Sequence, residues 1–524
     1  MLIASSLAAE PVIVARSGEQ IPDDVAIFTQ NRAPGQKTFS VPAIDPSGRI
    51  GLRADLEGEG ITPDVNDAGA FTFRIVDGQP VGQEIVRRGD PAPSSGGTTF
   101  DLGLNPRLGI GEESMLSSVL SDGDTAIYLH NDTGLFPVAV VREPVAAFSD
   151  DTKWLGLNIP DYDGFGMLFL STLSGPDGFG FGDDFMFVHS SFGENATLIA
   201  QENEETSPGS GIKFNAFLAW ATGGGATAFV AELNPDSGAD FDALFINGIQ
   251  DQSGGTAAPD DGRAWEGWQR PDMNANGDLA ITGRVAGNIR GIWLKPAGGA
   301  FDKILAEGET LPFDPSLSLG THLPINPVVG NGGAVVFSGP LTGAGVTSDN
   351  DGALFWYGDD GAGPALKLAV REGDQAPFFD PGVVFSDVFA TATKVNAVVD
   401  GLDNFAFKAR LAGPGISGGN DLTVWVWLAE RGALVPVLRE GDPIEIAPGD
   451  VRTISETDFA IGGLDDAQNV VVRAFYGTGA NSTDFPSGFM VLSVPTVPPL
   501  VVNSIGDAPD QSSQPDSTRL TPRP

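Results

Sequence analysis

Apolar residues in this chain come in short runs, rich in Val, Ile and Leu, and each run breaks into a polar turn. Runs of that length and β-branched content favour pleated strands and fit long helices badly. The clearest unit is LKLAVREGDQAP, Leu366 to Pro377. Variants of it begin at Val12 (VIVARSGEQIP), Glu84 (EIVRRGDPAP), Val138 (VAVVREPVA), Thr197 (TLIAQENEETSP), Lys303 (KILAEGETLP) and Val435 (VPVLREGDPIE), seven copies in all. Each reads as a strand and a turn, where Gly supplies positive φ and Pro a fixed φ.

A second repeat interleaves with the first. Its best copies are NANGDLAITG from Asn274, GGGATAFVAEL from Gly223, DPSGRIGLRADL from Asp45 and GLDNFAFKARL from Gly401. Weaker copies start at Asp122, Asp163, Asn331 and Asp466, which makes eight. Their markers run from Gly48 to Gln468 with a mean period of 60 residues.

One full unit predicts four strands: THLPINPVV from Thr321, GGAVVFSGPL, DGALFWYG and ALKLAVREGD. A four-stranded meander that cannot bury its own apolar face must stack on copies of itself. The expected fold is therefore an all-β β-propeller of about eight four-stranded blades, with seven as the alternative. The two repeat counts differ because no REGD-like segment follows Gly225; an insertion is expected from Ala243, in a blade that has lost or disguised its fourth strand. At the ends, PVIVARSGEQ is an orphan fourth strand and the last unit lacks one. Pairing of Pro11 to Ser17 beside Gly488 to Val494 would close the ring without a bare edge.

These motifs resemble a family of bacterial exported proteins with tandem NxxGxxAFxA repeats and REGDPAP-like segments, usually ending in a surface-sorting anchor (choice-of-anchor type). The resemblance spans roughly Val12 to Val494. It implies secretion and a repeat fold, with no known activity or catalytic residue. The chain departs from that pattern past Pro495, where no apolar anchor with a basic cluster follows.

Three segments are expected: 1–10 as the remnant of a signal sequence or a frayed terminus, 11–495 as one propeller domain, and 496–524 as a disordered tail rich in Pro, Ser and Asp. Net charge is −40, which disfavours nucleic acid and anionic lipid as partners. The chain has no cysteine, which excludes disulfides and thiolate metal sites. No run reaches the roughly 20 apolar residues of a membrane helix. An extracellular or periplasmic monomer is expected.

Catalytic signatures are missing. His130, His189 and His322 lack metal-ligand spacing, and there is no GxSxG elbow or Walker loop. Asp272 to Asp278 (DMNANGD) alternates oxygens like a calcium loop, but its twelfth position is Gly283, so it reads as a turn. GEES at Gly111 and QENEET at Gln201 do not stand out from solvated loops. No cofactor or metal is implied. Trp265 and Trp268, with Arg263 and Arg270, fall in the expected insertion and form the candidate ligand patch: an exposed aromatic pair beside arginines would stack on a sugar. The other reading is a plug that packs the insertion onto the ring. Trp293, Trp356, Trp425 and Trp427 fall on third strands and are expected to pack between blades.

Three functions remain open at this stage. The first is a secreted binding or scaffold module contacting polysaccharide or a surface protein. The second is a glycoside hydrolase or lyase with acids at one mouth of the channel. The third is a matrix component with no specific ligand.

Overall fold

The computed structural model describes residues 12–493 apart from 23, 30–37, 110–112, 147, 149–150, 159, 165, 176–183, 190–194, 322–326, 360, 362, 389–396 and 478–486. The expected segments 1–10 and 496–524 lie outside the described residues. Eight antiparallel sheets follow one another along the chain, and we number them blades 1 to 8. Their second strands are Ile50–Glu57, Ser114–Leu120, Met167–Ser174, Ala226–Pro235, Leu279–Val285, Val335–Gly343, Phe405–Ala412 and Asn469–Gly477. First strands of neighbouring blades touch, as Ile212–Gly223 of blade 4 touches Trp265–Met273 of blade 5, and so form the inner wall of the ring.

Each seam between blades holds its own apolar cluster. A blade is therefore buried on both faces, which is why its strands read as continuous apolar runs instead of alternating ones. In blade 4, Phe229 and Ala231 pack toward blade 3, while Ala228 and Val230 pack toward blade 5. Trp293, Trp356, Trp425 and Trp427 all sit on third strands and are buried in these seams. The seam between blades 4 and 5 is so close that a Cβ on Gly223 would lie 2.1 Å from the Asn274 carbonyl oxygen; glycine there is a packing requirement.

The two chain ends share one sheet. Val12–Arg16 pairs antiparallel with Ser487–Ser493, with Val12 opposite Val491 and Arg16 opposite Gly488. Val14 and Ala15 join Val471 and Val491 in the seam against Phe28 and Phe71 of blade 1. The ring is thus closed and has eight blades, with the first strand of the chain completing the last blade.

Three expectations need correction. Blade 4 has its fourth strand: Ile249–Ser253 (IQDQS), followed by Gly-Gly-Thr-Ala-Ala-Pro. It is disguised because it is an outermost strand, with Ile249 74 % exposed, so an apolar run is not required there. What was read as an insertion is the ordinary connection to blade 5. Second, the copy at Asp122 lies between the second and third strands of blade 2, Ser114–Leu120 and Thr125–Asn131; the equivalent first turn lies between Leu108 and Ser114. Third, the first strand of blade 6 begins upstream of THLPINPVV, at Asp314–Leu319; Val328–Val329 of that stretch also pairs with the second strand, and its residues 322–326 lie outside the described residues.

Candidate functional site

The residues that made the repeat visible are spent on holding blades together. Gly18, Gly89, Arg142, Asn203, Gly255, Gly308, Gly373 and Gly441 occupy the same turn in successive blades, all at positive φ. Each donates its N–H, at 2.7–2.9 Å, to a carbonyl on the next first strand: Phe28, Phe100, Trp154, Phe214, Trp265, Leu319, Phe385 and Ile454 in that order. Those eight acceptors are all buried. The Arg and Glu of REGD clamp the loop between second and third strands of their own blade. Arg371 and Arg439 donate Nε to the carbonyls of Asn350 and Asn420, both at 2.7 Å, and Glu372 accepts from the Gly352 N–H at 3.0 Å.

The second repeat is equally committed. Oδ1 of Asp45, Asn274, Asp400 and Asp465 each accepts two backbone N–H groups, two and four residues on, at 2.8–3.0 Å. Neighbouring turns are then tied to each other: Asn274 Nδ2 donates to the Gly330 carbonyl (2.7 Å), and Asp403 and Asp466 accept from Ala334 (3.2 Å) and Gly401 (2.7 Å). The calcium-like stretch is one of these turns. Asp272 Oδ2 accepts from Val329 N at 2.8 Å, and Gly283 packs against the Trp265 ring. No group of three or more His, Asp or Glu among the described residues is arranged to hold a metal.

Burial of these carboxylates has a consequence for pH. Burial pushes Asp374 and Asp400 up to about 6, in spite of the N–H groups that Asp400 accepts. Between the ordinary carboxylate range and about 6 the folded chain binds more protons than the unfolded one, so stability falls as pH rises through that window. The opposing Asp261 is held down at about 2 by Arg263, and its contribution is lost only under stronger acid. Thermal unfolding is expected to show a higher midpoint at pH 5 than at pH 7.5, by on the order of 2 kcal/mol in stability. Asp374→Asn should flatten that slope; a midpoint that drops on going to pH 5 would contradict the assignment.

The candidate patch is placed differently from its expectation. Trp265 and Trp268 lie on the first strand of blade 5, 2 % and 3 % exposed, with ring centroids 5.2 Å apart and Trp293 packed at 4.6 Å from Trp265. Trp265 is the blade 5 copy of the buried anchor described above, so neither indole presents a stacking face. Arg263 Nη2 bonds Asp261 at 2.6 Å, in a network with Lys303 and Glu309. Arg270 is exposed, at a bulge with φ 47°. The structure does not bring the four residues together as one surface. His130 is partly buried, His189 is buried, and His322 lies outside the described residues, as do Gly111 and Glu112 of GEES. In QENEET, Glu202 and Glu205 accept from the N–H groups of Asp184 and Gly209.

The ring opens in the seam between blades 2 and 3, where a cleft of about 350 Å³ lies. The cleft is lined by residues 123–125 and Val141 of blade 2 and by residues 155–158, from the first strand of blade 3, Lys153–Leu157, and the residue after it. Val141, Leu155 and Leu157 supply apolar surface, with Leu155 48 % exposed. Thr125 and Asn158, whose side chains have no hydrogen-bond partner among the described residues, and Asp124 also line it. Asp124 meets Arg142 Nη2 at 3.0 Å, and burial raises its pKa, with Asp122 adding to the effect. Apolar surface beside a few polar groups, at the small end of ligand-site volumes, suits a small hydroxyl-bearing ligand. A larger hollow of about 590 Å³ beside Gln20, Ile21, Asp24 and Val25 lies open to solvent, and the Asp24 carboxylate there is taken by Arg87 at 2.7 Å.

Nothing in the sequence marked this cleft, because its residues come from repeat copies of two different blades and from the strand between them. The one available signal was the replacement of the turn glycine by Arg142 in VVREPVA.

Eight antiparallel sheets of four to six strands in a closed ring, with an opening in one seam, define an eight-bladed β-propeller with a candidate inter-blade ligand cleft. The chain belongs to a family of unknown function (DUF7453), whose description matches residues 4–247 and 249–499. The break between the two matches falls at the turn before Ile249–Ser253, the outermost strand of blade 4. No curated protein matches the sequence. Similar solved structures include the β-propeller domain of the trilobed protease from Pyrococcus furiosus (10 % identity, 74 % of this chain and 93 % of that one, TM-score 0.34). A polysaccharide lyase (9 %, 93 % and 98 %, 0.30) and an α-L-arabinanase from Penicillium chrysogenum (12 %, 81 % and 99 %, 0.27) are further examples. No helix among the described residues is long and apolar enough to cross a membrane.

Proposed function

We propose that this chain is a secreted, non-enzymatic binding module that holds a polysaccharide in the cleft between blades 2 and 3. The observation that carries the reading is the cleft itself. Elsewhere in the ring the repeated polar side chains are occupied with backbone partners, whereas the Thr125 hydroxyl and the Asn158 carboxamide have no partner among the described residues and lie beside apolar surface. Sugars are bound by this combination of hydrogen-bonding groups and apolar surface. Secretion is supported by the resemblance of the repeats to exported proteins, and the absence of cysteine is compatible with it.

A glycan array probed with the full chain tests the proposal. Wild type is expected to retain a saccharide, and Thr125→Trp, which adds bulk to the blade 2 side of the cleft, to bind it at least about tenfold more weakly, a loss of about 1.4 kcal/mol. An empty array, or equal binding by the variant, would refute it.

A further inference from the structure

The apolar side chains at the cleft narrow the class of saccharide, and this deepens the reading just given and rests on it. Val141, Leu155 and Leu157 supply the apolar surface, and no aromatic ring is among the described residues that line the opening. Val141 and Leu157 belong to the apolar cluster of the seam between blades 2 and 3. Leu155 is skipped in the strand pairing, which passes from Trp154 to Gly156, and its side chain is 48 % exposed. Thr125 lies two residues before Ile127 on one strand, and Ile127 is part of the same cluster, so the hydroxyl faces this seam too. An aromatic ring would offer a flat face to the C–H face of a pyranose; branched aliphatic side chains have no such face and surround a small apolar group instead. A 6-deoxyhexose carries a methyl group where an ordinary hexose carries a hydroxymethyl. The extra hydroxyl of the hexose would be set against leucine without a hydrogen-bond partner.

We infer that the cleft selects a 6-deoxyhexose, with its methyl group set against Leu155 and Leu157 and a ring hydroxyl on Thr125. Saturation-transfer NMR titration of the full chain reads this directly, with two pairs of sugars that differ only at that carbon: L-fucose against L-galactose, and L-rhamnose against L-mannose. One methylene in an apolar pocket separates ligands by roughly 10- to 200-fold, and a half-open cleft keeps less, so the deoxy member of at least one pair is expected to bind at least about fivefold tighter. Its methyl protons should take up the strongest saturation. Leu155→Asn should bring the ratio toward one with the unfolding midpoint unchanged, since that side chain is half-exposed. The wild-type ratio decides by itself should the variant fail to fold.

Equal or undetectable binding within both pairs, or a glycan array whose retained glycans all lack a 6-deoxyhexose, overturns the selection but leaves a saccharide cleft in place. So does a folded Leu155→Asn variant that keeps the wild-type ratio. An array that retains no glycan removes the underlying reading itself.

Discussion

Removal of residues 1–17 is expected to destabilise the ring by ~5 kcal/mol, the sum of about 1.5–3 kcal/mol for a buried valine and about 1 kcal/mol for each lost strand hydrogen bond. Val14 is 3 % and Ala15 0 % exposed in the seam between blades 8 and 1. The truncation would also leave Ser487–Ser493 as a bare edge, open to pairing with other chains. Urea unfolding measures the loss and light scattering the association. A synthetic peptide covering Pro11 to Ser17, added in trans, should restore part of both. An unchanged unfolding midpoint would show that ring closure does not depend on the strand.

Trp265→Ala is the second large effect. The indole lies 2 % exposed between Trp268 and Trp293, and its Nε1–H donates to Gln252 Oε1 at 3.2 Å. A cavity of that size costs about 3–5 kcal/mol. Saccharide affinity per folded molecule should stay unchanged, because the proposed cleft lies in a different seam. Measured together, unfolding midpoint and affinity separate the two readings of this tryptophan: a variant that is stable but no longer binds would return the ligand site to blade 5.

The architecture was legible because its grammar repeats. A turn residue at positive φ recurs once per blade, glycine in six of the eight, and an Asx-type turn recurs in four blades, so period, strand order and closure by Val12–Arg16 could all be read from spacing. What was misread fell where a copy had lost its marks. IQDQS carries a single apolar residue since an outermost strand has one open edge and little core to fill, and without it Trp265 was assigned to an insertion. The register was present all the same. GGTAAP matches GDPAP, and the buried anchor follows the turn by ten (Gly18 to Phe28) to thirteen (Gly441 to Ile454) residues, which places Trp265 at the anchor of blade 5. Sequence could not show the cleft. It is made where residues of two blades meet across a seam, and spacing along one blade does not report that meeting.

Because the opening strand finds its place only beside Ser487–Ser493, the eighth sheet cannot assemble until nearly the whole polypeptide has been made. Contacts separated by that much sequence form late and slowly, so early blades must wait with one flank uncovered. Once joined, the two terminal strands, Val12–Arg16 and Ser487–Ser493, hold each other in place, so that neither can leave its sheet without stripping the other.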